Sequence, residues 1–290
     1  MRKKNTQKKK FYIGDIFRII GLIIALSVLL YPTVSNYLYE KNGARVISSY
    51  DEEAVRLSEK ERNAVLEAAR QYNQELLRNI ELLDPFSPIK KEIDERYQSL
   101  LNTNEAGMMG YIRIPQIDVE LPIYHGTEET VLQSGVGHFE GTSLPVGGES
   151  THSVLTGHRG LPSKLLFTDL DKLKEGDVFY IKILGETLAY QVDQILTVLP
   201  EDTRSLSIVS GKDYVTLVTC TPYAVNTHRL LVRGVRIPYE EAVQQAADEK
   251  ITPELPFQVK VLILAVTALI LFFIIYLIWK KGRKRKTGDK

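Results

Sequence analysis

The sequence has 290 residues, of which 44% are hydrophobic and 25% are charged, so it can form a packed core and is not disordered in bulk. Its one cysteine, Cys220, excludes an intramolecular disulfide and any site that needs two thiolates. Basic ends, residues 1–10 and 280–290, flank a middle with 24 basic and 35 acidic residues, a net charge of −11 that argues against nucleic-acid binding.

Both ends of the chain contain an apolar run. After the basic start, residues 19–31 fit either a cleaved signal peptide or an uncleaved signal anchor, and we assign residues 1–38 to this cytoplasmic tail and membrane segment. Residues 261–279 are uncharged and would rise about 28 Å as a helix, enough to cross a bilayer. We predict a transmembrane helix at 259–279 and a basic tail at 280–290, both termini cytoplasmic and the middle of the chain extracellular at the cell membrane.

The region that follows the first membrane segment is helical in pattern. Residues 48–80 are rich in helix formers, and Ser58 with Glu61 matches a capping box. Two prolines then interrupt the pattern at 84–90, and a short helix is expected within 91–102. We therefore predict an N-terminal helical domain, residues 39–105.

From Gly110 onward the apolar period changes to that of strands. Seven short strands, separated by turn residues, indicate a barrel or a sandwich, with one helix at 165–173. The predicted strands are 111–115, 118–124, 153–156, 178–184, 187–198, 213–219 and 229–237. This predicts a mainly β domain at 106–240, followed by an acidic linker at 241–258.

Cys220 is the first candidate for chemistry. It ends a strand-like run and precedes a turn, where side chains become accessible. A lone cysteine is more often a small buried apolar residue. In an extracellular domain, however, an unpaired thiol is worth keeping only if it is used.

A catalytic thiol needs a partner that transfers protons. His158 follows the predicted strand 153–156 in a Thr-Gly-His-Arg-Gly run, where the glycines leave the ring uncovered. His228 competes because it lies eight residues from the cysteine, and His125 and His138 also lie beside glycines. The residues alone leave these alternatives open.

An arginine near the thiol could stabilise a developing oxyanion. Arg229 opens the strand nine residues after Cys220, and a strand–loop–strand hairpin would bring the two together. Arg159 and Arg233 are rival candidates.

Together these residues resemble the sortases, cysteine transpeptidases of Gram-positive bacteria built on an eight-stranded β-barrel. The resemblance rests on Thr-Leu-Val-Thr-Cys ending at Cys220, on Arg229, and on the Thr-Gly-His-Arg-Gly run around His158. The fuller match is to class C, the pilus-assembling sortases. Its further motifs here are Gly-Tyr-Ile-Arg-Ile-Pro from Gly110, Leu-Pro-Ile-Tyr-His-Gly from Leu121, residues 137–148, residues 226–234 and the C-terminal membrane helix.

The resemblance implies roles for these residues. Cys220 would be the nucleophile, His158 the acid and base, and Arg229 the cation beside the oxyanion. Thr219, next to the nucleophile, would be a substrate-binding residue. No metal and no cofactor is implied.

Asp84, Pro85 and Phe86 resemble the class C lid motif. Asp84 would pair with Arg229 or bond near Cys220, and Phe86 would fill an apolar part of the groove. The implied lid, residues 84–90, would block the groove when closed.

The implied reaction is cleavage of an LPxTG-like sorting signal between Thr and Gly, with transfer of the acyl group to a pilin lysine. The implied partners are pilin subunits and the membrane, without nucleic acid, and a monomer is expected. A cell-wall-anchoring sortase with a peptidoglycan amine as acceptor, and a non-enzymatic membrane-tethered assembly module, are the alternatives.

Overall fold

The computed structural model describes residues 13–76, 86, 94–103, 107–161, 163–248, 260, 263, 264, 266, 267 and 271. The chain divides into two compact units, Leu38–Pro253 and the two ends Met1–Tyr37 with Glu254–Lys290. The six described positions from 260 to 271 are helical, and the rest of the transmembrane helix predicted at 259–279 lies outside the described residues. The predicted catalytic residues Cys220, His158 and Arg229 all lie within Leu38–Pro253.

Helix α1 (Ile13–Arg56) contains the apolar run predicted near the N-terminus. Its part Ile20–Arg56 is the one helix among the described residues that is long and apolar enough to cross a membrane. Large apolar side chains such as Phe17, Ile24 and Val28 are more than half exposed along it, as lipid-facing residues would be. This helix suits a membrane anchor or a signal sequence equally.

The predicted helix at 48–80 is divided in two by its own capping box. The Ser58 hydroxyl accepts a hydrogen bond from the Glu61 backbone N–H (3.3 Å), and the Glu61 carboxylate accepts one from the Ser58 backbone N–H (2.8 Å). This reciprocal pair satisfies two N–H groups at the start of α2 (Glu59–Leu76). The short helix expected next is α3 (Glu95–Ser99).

Eight strands close into a barrel in the order β1-β2-β3-β4-β7-β8-β6-β5. Neighbouring strands are antiparallel except in the pairs β2–β3 and β4–β7, which are parallel. The strands are β1 Met108–Ile114, β2 Val119–His125, β3 Val136–His138, β4 Thr151–Thr156, β5 Val178–Ile183, β6 Glu186–Val198, β7 Asp213–Thr221 and β8 His228–Ile237. The seven strands and the closed barrel are confirmed, and β3 is the strand that the pattern did not predict.

Three connecting segments differ from expectation. The helix predicted at 165–173 is wrong: only the single 3₁₀ turn Leu170–Lys172 forms there. Leu166 adopts a left-handed conformation (φ 44°), which an α-helix cannot include. The predicted linker 241–258 begins as a helix, because helix α5 spans Tyr239–Asp248. Helix α4 (Glu129–Ser134) was not predicted.

Buried hydrogen bonds attach the N-terminal helices to the barrel. The Tyr50 hydroxyl donates to the Met109 carbonyl (2.7 Å) and accepts from the Leu184 N–H (3.0 Å). The Asn73 amide donates to the Leu144 carbonyl (3.0 Å) and accepts from the N–H of the same residue (2.7 Å). Because all these groups are buried, each bond replaces water that the backbone would otherwise need.

Apolar side chains form a separate cluster outside the main core. We call Phe139, Val154, Leu206, Val218 and Leu231 the outer apolar cluster. Val154 lies on β4, Val218 on β7 and Leu231 on β8, so the cluster spans three adjacent strands. Since alternate residues of a strand share a face, Val218 lies on the same face of β7 as the residue two positions on, the cysteine.

The contact of Asn73 with the barrel predicts a stability loss. Asn73→Ala removes two hydrogen bonds to a buried peptide group and should lower the free energy of unfolding by about 2–3 kcal/mol. Urea denaturation of the full chain in detergent, followed by far-UV circular dichroism, measures it. The control is Asn63→Ala, an exposed position on the same helix, expected within about 0.5 kcal/mol of wild type. Equal losses in both variants would contradict the role of the Asn73 bonds.

Candidate active site

Cys220 lies near the end of β7, directly opposite Arg229 of β8 in the antiparallel ladder. Residues paired in this way have Cβ atoms about 4.5–5.5 Å apart and side chains on the same face. Cys220 is half-buried, and Arg229 is 8% exposed. The hairpin therefore places the two side chains next to each other on one face of the sheet, as the spacing of the two residues predicted.

Arg229 is a buried cation held by backbone carbonyls. Its Nη1 donates to the carbonyl oxygens of Asn226 (3.3 Å) and His228 (3.2 Å). A guanidinium stays protonated at physiological pH and presents its donors in a rigid plane. A charge fixed here can stabilise a thiolate, or an oxyanion that forms next to the sulfur.

Each of the two rival arginines forms an ion pair with an aspartate. Arg233 donates two hydrogen bonds of 2.9 Å to the Asp193 carboxylate. Arg159 pairs with Asp171 through Nη2. Of the three candidates, Arg229 is the one that the strand register sets opposite the thiol.

The segment that carries His158 is fastened to β7. The Gly157 N–H donates to the Val218 carbonyl (3.0 Å), and the Thr219 hydroxyl donates to the Gly157 carbonyl (2.7 Å). The His158 carbonyl accepts from the Phe167 N–H (3.1 Å). A Cβ on Gly157 would lie 2.6 Å from the Phe167 ring, so only glycine fits there. These contacts bring the imidazole-bearing loop to the strand that carries the thiol.

Three of the other histidines are buried structural residues. His125 donates from Nε2 to the Leu100 carbonyl (2.7 Å), and burial lowers its pKa. Burial lowers the pKa of His138 to about 3 and that of His152 to about 4. Each ring is hydrogen-bonded inside the protein, so none is available to a substrate.

In the described part of the chain, His, Cys, Asp and Glu side chains form no group of three or more that could hold a metal ion.

His228 lies on the wrong face of its strand. It pairs with Thr221 in the ladder, one step from the Cys220–Arg229 pair. Because consecutive strand residues point to opposite faces, its ring lies away from the face of the thiol. Its Nδ1 is 2.9 Å from the Thr227 hydroxyl.

Thr219 precedes the thiol but points to the other face of β7. Its side chain is fully buried, and its hydroxyl holds the Gly157 carbonyl in front of His158. The side chain therefore presents no exposed surface to a ligand in this structure. The predicted substrate-binding role stays a prediction, and the observed contact is one that positions the histidine loop.

Of the three residues that resemble the lid motif, the structure describes Phe86, while Asp84 and Pro85 lie outside the described residues. Phe86 is half-buried against the outer apolar cluster. Its ring centroid lies 6.0 Å from that of His158 and 4.9 Å from the Arg229 guanidinium carbon. The aromatic ring thus covers the imidazole and the guanidinium together.

Glu129, the first residue of α4, is a partner of His158 that sequence reasoning missed. Its Oε2 lies 3.2 Å from His158 Nε2, and its Oε1 accepts from Gln133 Nε2 (2.6 Å). The Gln133 hydrogen bond, with the nearby imidazole, holds the pKa of this carboxyl below its usual value. The pair is 29 residues apart in sequence and follows no motif, so the sequence carries no signal for it.

Cysteine enzymes that transfer acyl groups use a thiol together with a proton-transferring imidazole and a group that stabilises an oxyanion. The β-barrel carries a residue of each kind in this region. Comparison with known proteins gives the same class. Residues 112–237 match the family model described as Sortase domain.

Solved structures share both the fold and much of the sequence. Sortase C of Streptococcus pneumoniae is 49% identical with a TM-score of 0.63, and the match covers 67% of this chain and 97% of that chain. For sortase C1 of Streptococcus agalactiae the identity is 52%, the TM-score 0.60 and the coverage 67% and 98%. The chain therefore belongs to the sortase family of cysteine transpeptidases, with structural neighbours in class C.

A curated sequence relative of another class matches over a shorter span. Sortase A of Streptococcus agalactiae serotype III is 32% identical over 154 residues. This match covers 51% of the present chain and 61% of that relative's length.

The buried histidines predict a loss of stability in mild acid. The unfolded state binds protons below pH 6.5, whereas folded His138 and His152 stay neutral to about pH 3 and 4, so stability falls as the pH drops from 6.5 towards 4. Each contributes a slope of about 1.4 kcal/mol per pH unit. His152→Gln should reduce the slope by about 1 kcal/mol per pH unit in urea denaturation between pH 6 and 5, where the unfolded imidazole is mostly protonated and the folded one is neutral. An unchanged slope would refute the assignment.

Proposed function

We propose that this sortase polymerises pilin subunits. It cleaves an LPxTG-like sorting signal between Thr and Gly, holds the acyl group as a thioester on Cys220 and transfers it to a pilin lysine. The observation that carries the proposal is the cross-strand pairing of the thiol with the buried Arg229. A permanent cation fixed beside a sulfur suits attack on a carbonyl and the oxyanion that follows.

In the first step the Cys220 thiolate attacks the carbonyl carbon of the threonine. The carbonyl oxygen becomes an oxyanion, which Arg229 stabilises by charge and hydrogen bonding. The C–N bond to glycine then breaks as His158 donates a proton to the departing amine. The products are a thioester on the enzyme and a peptide that begins with glycine.

In the second step a lysine ε-amine of the next subunit attacks the thioester carbonyl. Neutral His158 takes a proton from the attacking nitrogen, and Arg229 again faces the oxyanion. The C–S bond breaks, an isopeptide bond remains, and Cys220 returns as the thiolate. Since the acyl bond is exchanged for another amide, no cofactor enters the balance.

The choice of a pilin acceptor rests on the structural neighbours. The work on the Streptococcus pneumoniae enzyme concerns its pilin substrate specificity, and another neighbour is sortase C1 of the Streptococcus agalactiae pilus island 1. The aromatic residue over the site, Phe86, supports the same class. A wall-anchoring sortase would instead accept a peptidoglycan amine, and the nature of the acceptor distinguishes the two.

We further propose the arrangement of the chain around the membrane. The segments 1–38 and 259–279 anchor the enzyme at the cell membrane with both termini cytoplasmic, and the helical region 39–105 and barrel 106–240 act outside. The apolar helix α1 supports the first anchor. Substrates held in the same membrane would meet the enzyme at a raised local concentration.

The lid proposal is that residues 84–90 close the groove until a substrate displaces them. Phe86 supports it, because a peptide bound across the outer apolar cluster would occupy the surface that this ring covers. Closure of this kind is a gating step in many enzymes. Asp84 would add an acceptor for the buried guanidinium.

Removing the aromatic ring should expose the thiol. Phe86→Ala deletes apolar contacts and a cation–π contact, worth together about 1–2 kcal/mol, so iodoacetamide should label Cys220 about 5–30 times faster. Intact mass reports the labelling unambiguously, since the chain has one cysteine. Tyr239→Ala, an exposed aromatic on α5, is the control and should label like wild type. If Phe86→Ala and wild type are labelled at equal rates, the proposal that Phe86 blocks access to the thiol is wrong.

The transfer reaction is tested by intact mass with an LPxTG-type peptide, using the full chain in detergent. A thioester adduct is expected on wild type or on the Asp84→Ala/Phe86→Ala double variant, and never on Cys220→Ala.

Arg229→Lys keeps the charge but loses the planar donors, so it should slow adduct formation about 100-fold. A pilin subunit should release the adduct as an isopeptide-linked product. Release by a peptidoglycan-type amine alone would indicate the wall-anchoring reaction, and no adduct on any folded form would favour the assembly module.

A further inference from the structure

Helix α4 is held at its C-terminal end by residues from two other parts of the chain. The Tyr39 hydroxyl of α1 donates to the Ser134 carbonyl (3.0 Å). Lys164 donates through Nζ to the Gln133 carbonyl, and the same Nζ lies 5.1 Å from the Tyr39 ring centroid. These contacts fix a helix of only six residues, and with it the carboxylate of Glu129 at its start.

The Glu129 carboxylate uses its two oxygens for different partners. Oε1 accepts from Gln133 Nε2 at 2.6 Å, and Oε2 lies 3.2 Å from His158 Nε2. A carboxylate only accepts hydrogen bonds, so His158 donates from Nε2. The second ring nitrogen, Nδ1, is then the one left for exchange of protons with other groups.

We propose that Glu129 is a positioning residue that holds the His158 imidazole through Nε2, so that Nδ1 is the nitrogen that serves the reacting groups. Gln133 fixes the carboxylate in turn. This proposal rests on the proposed role of His158 as acid and base. A group that accepts from the far nitrogen of a catalytic imidazole orients the ring and fixes which nitrogen carries the proton.

The exposure of the two side chains determines how much their contact contributes to the stability of the fold. Glu129 is 69% exposed, whereas the His158 side chain is 18% exposed. An exposed pair contributes little to the free energy of unfolding. Loss of the carboxylate should therefore leave the protein folded and change the reaction itself, mainly kcat.

The kinetic test compares Glu129→Ala, Glu129→Gln and Glu128→Ala in the full chain, with an LPxTG-type peptide. Glu129→Ala should lower kcat about 10-fold with KM within about 2-fold of wild type. Glu129→Gln keeps an oxygen that accepts from Nε2 and should recover most of that loss. Glu128, the exposed neighbour, has no side-chain bond at the start of α4, so its variant controls for loss of one negative charge and should match wild type.

The spectroscopic test reads the hydrogen bond without any reaction. In ¹⁵N-histidine-labelled protein with Cys220→Ala, the His158 Nε2–H signal should be seen when Glu129 is intact and also in the Glu129→Gln variant. The signal should vanish through solvent exchange in Glu129→Ala, which has no acceptor at this position. His158→Ala identifies the signal.

Two outcomes would overturn the proposal. One is a Glu129→Ala enzyme whose kcat equals that of the Glu128→Ala control, and the other is an Nε2–H signal that survives in Glu129→Ala. A failure of the proposed function looks different: His158→Ala would then form the thioester at the wild-type rate, or no peptide would react with any variant, while the spectroscopic result on Glu129 would stand.

Discussion

The position of β7 between β4 and β8 is the constraint on which the site depends. Its parallel pairing with β4 sets Val218 beside Thr156, so the histidine loop leaves β4 next to the strand of the thiol. Its antiparallel pairing with β8 sets Cys220 opposite Arg229. A slip of one residue between β7 and β8 would turn the guanidinium to the other face. The closed barrel prevents such a slip, because every strand has neighbours on both sides.

Much of the polar chemistry of the chain serves this framework rather than the reaction. The Tyr97 hydroxyl accepts from the Gly126 N–H (2.9 Å) and lies 2.9 Å from His138 Nδ1, all in the interior. Satisfied buried networks of this kind hold a fold in one arrangement, whereas an unpaired member would be costly. Burial separates such histidines from His158, which keeps part of its ring exposed.

The sequence predicted most of the barrel, because alternation is a local property. For the site, the residues alone leave several histidines and arginines open, and the family resemblance selects His158 and Arg229 as partners of Cys220. Strand β3 escaped prediction since Val136–His138 is too short to show a period. The helix at 165–173 failed because its apolar spacing does not reveal the left-handed Leu166. Glu129 could not be found either, since its contact with His158 arises from the tertiary fold alone.

If residues 84–90 form the proposed lid, the ring of Phe86 competes with the substrate for the outer apolar cluster. A ligand on the outer apolar cluster has to displace a group that is tethered to the same chain, so its apparent affinity is its intrinsic affinity reduced by the fraction of molecules in which the surface is free. A dilute peptide in solution suffers this reduction in full. With the proposed membrane anchor, a substrate protein confined to the same membrane would overcome this reduction by its raised local concentration. The proposed lid and anchor together would favour substrates held at the membrane over dilute ones, without any contact that depends on the sequence of the substrate.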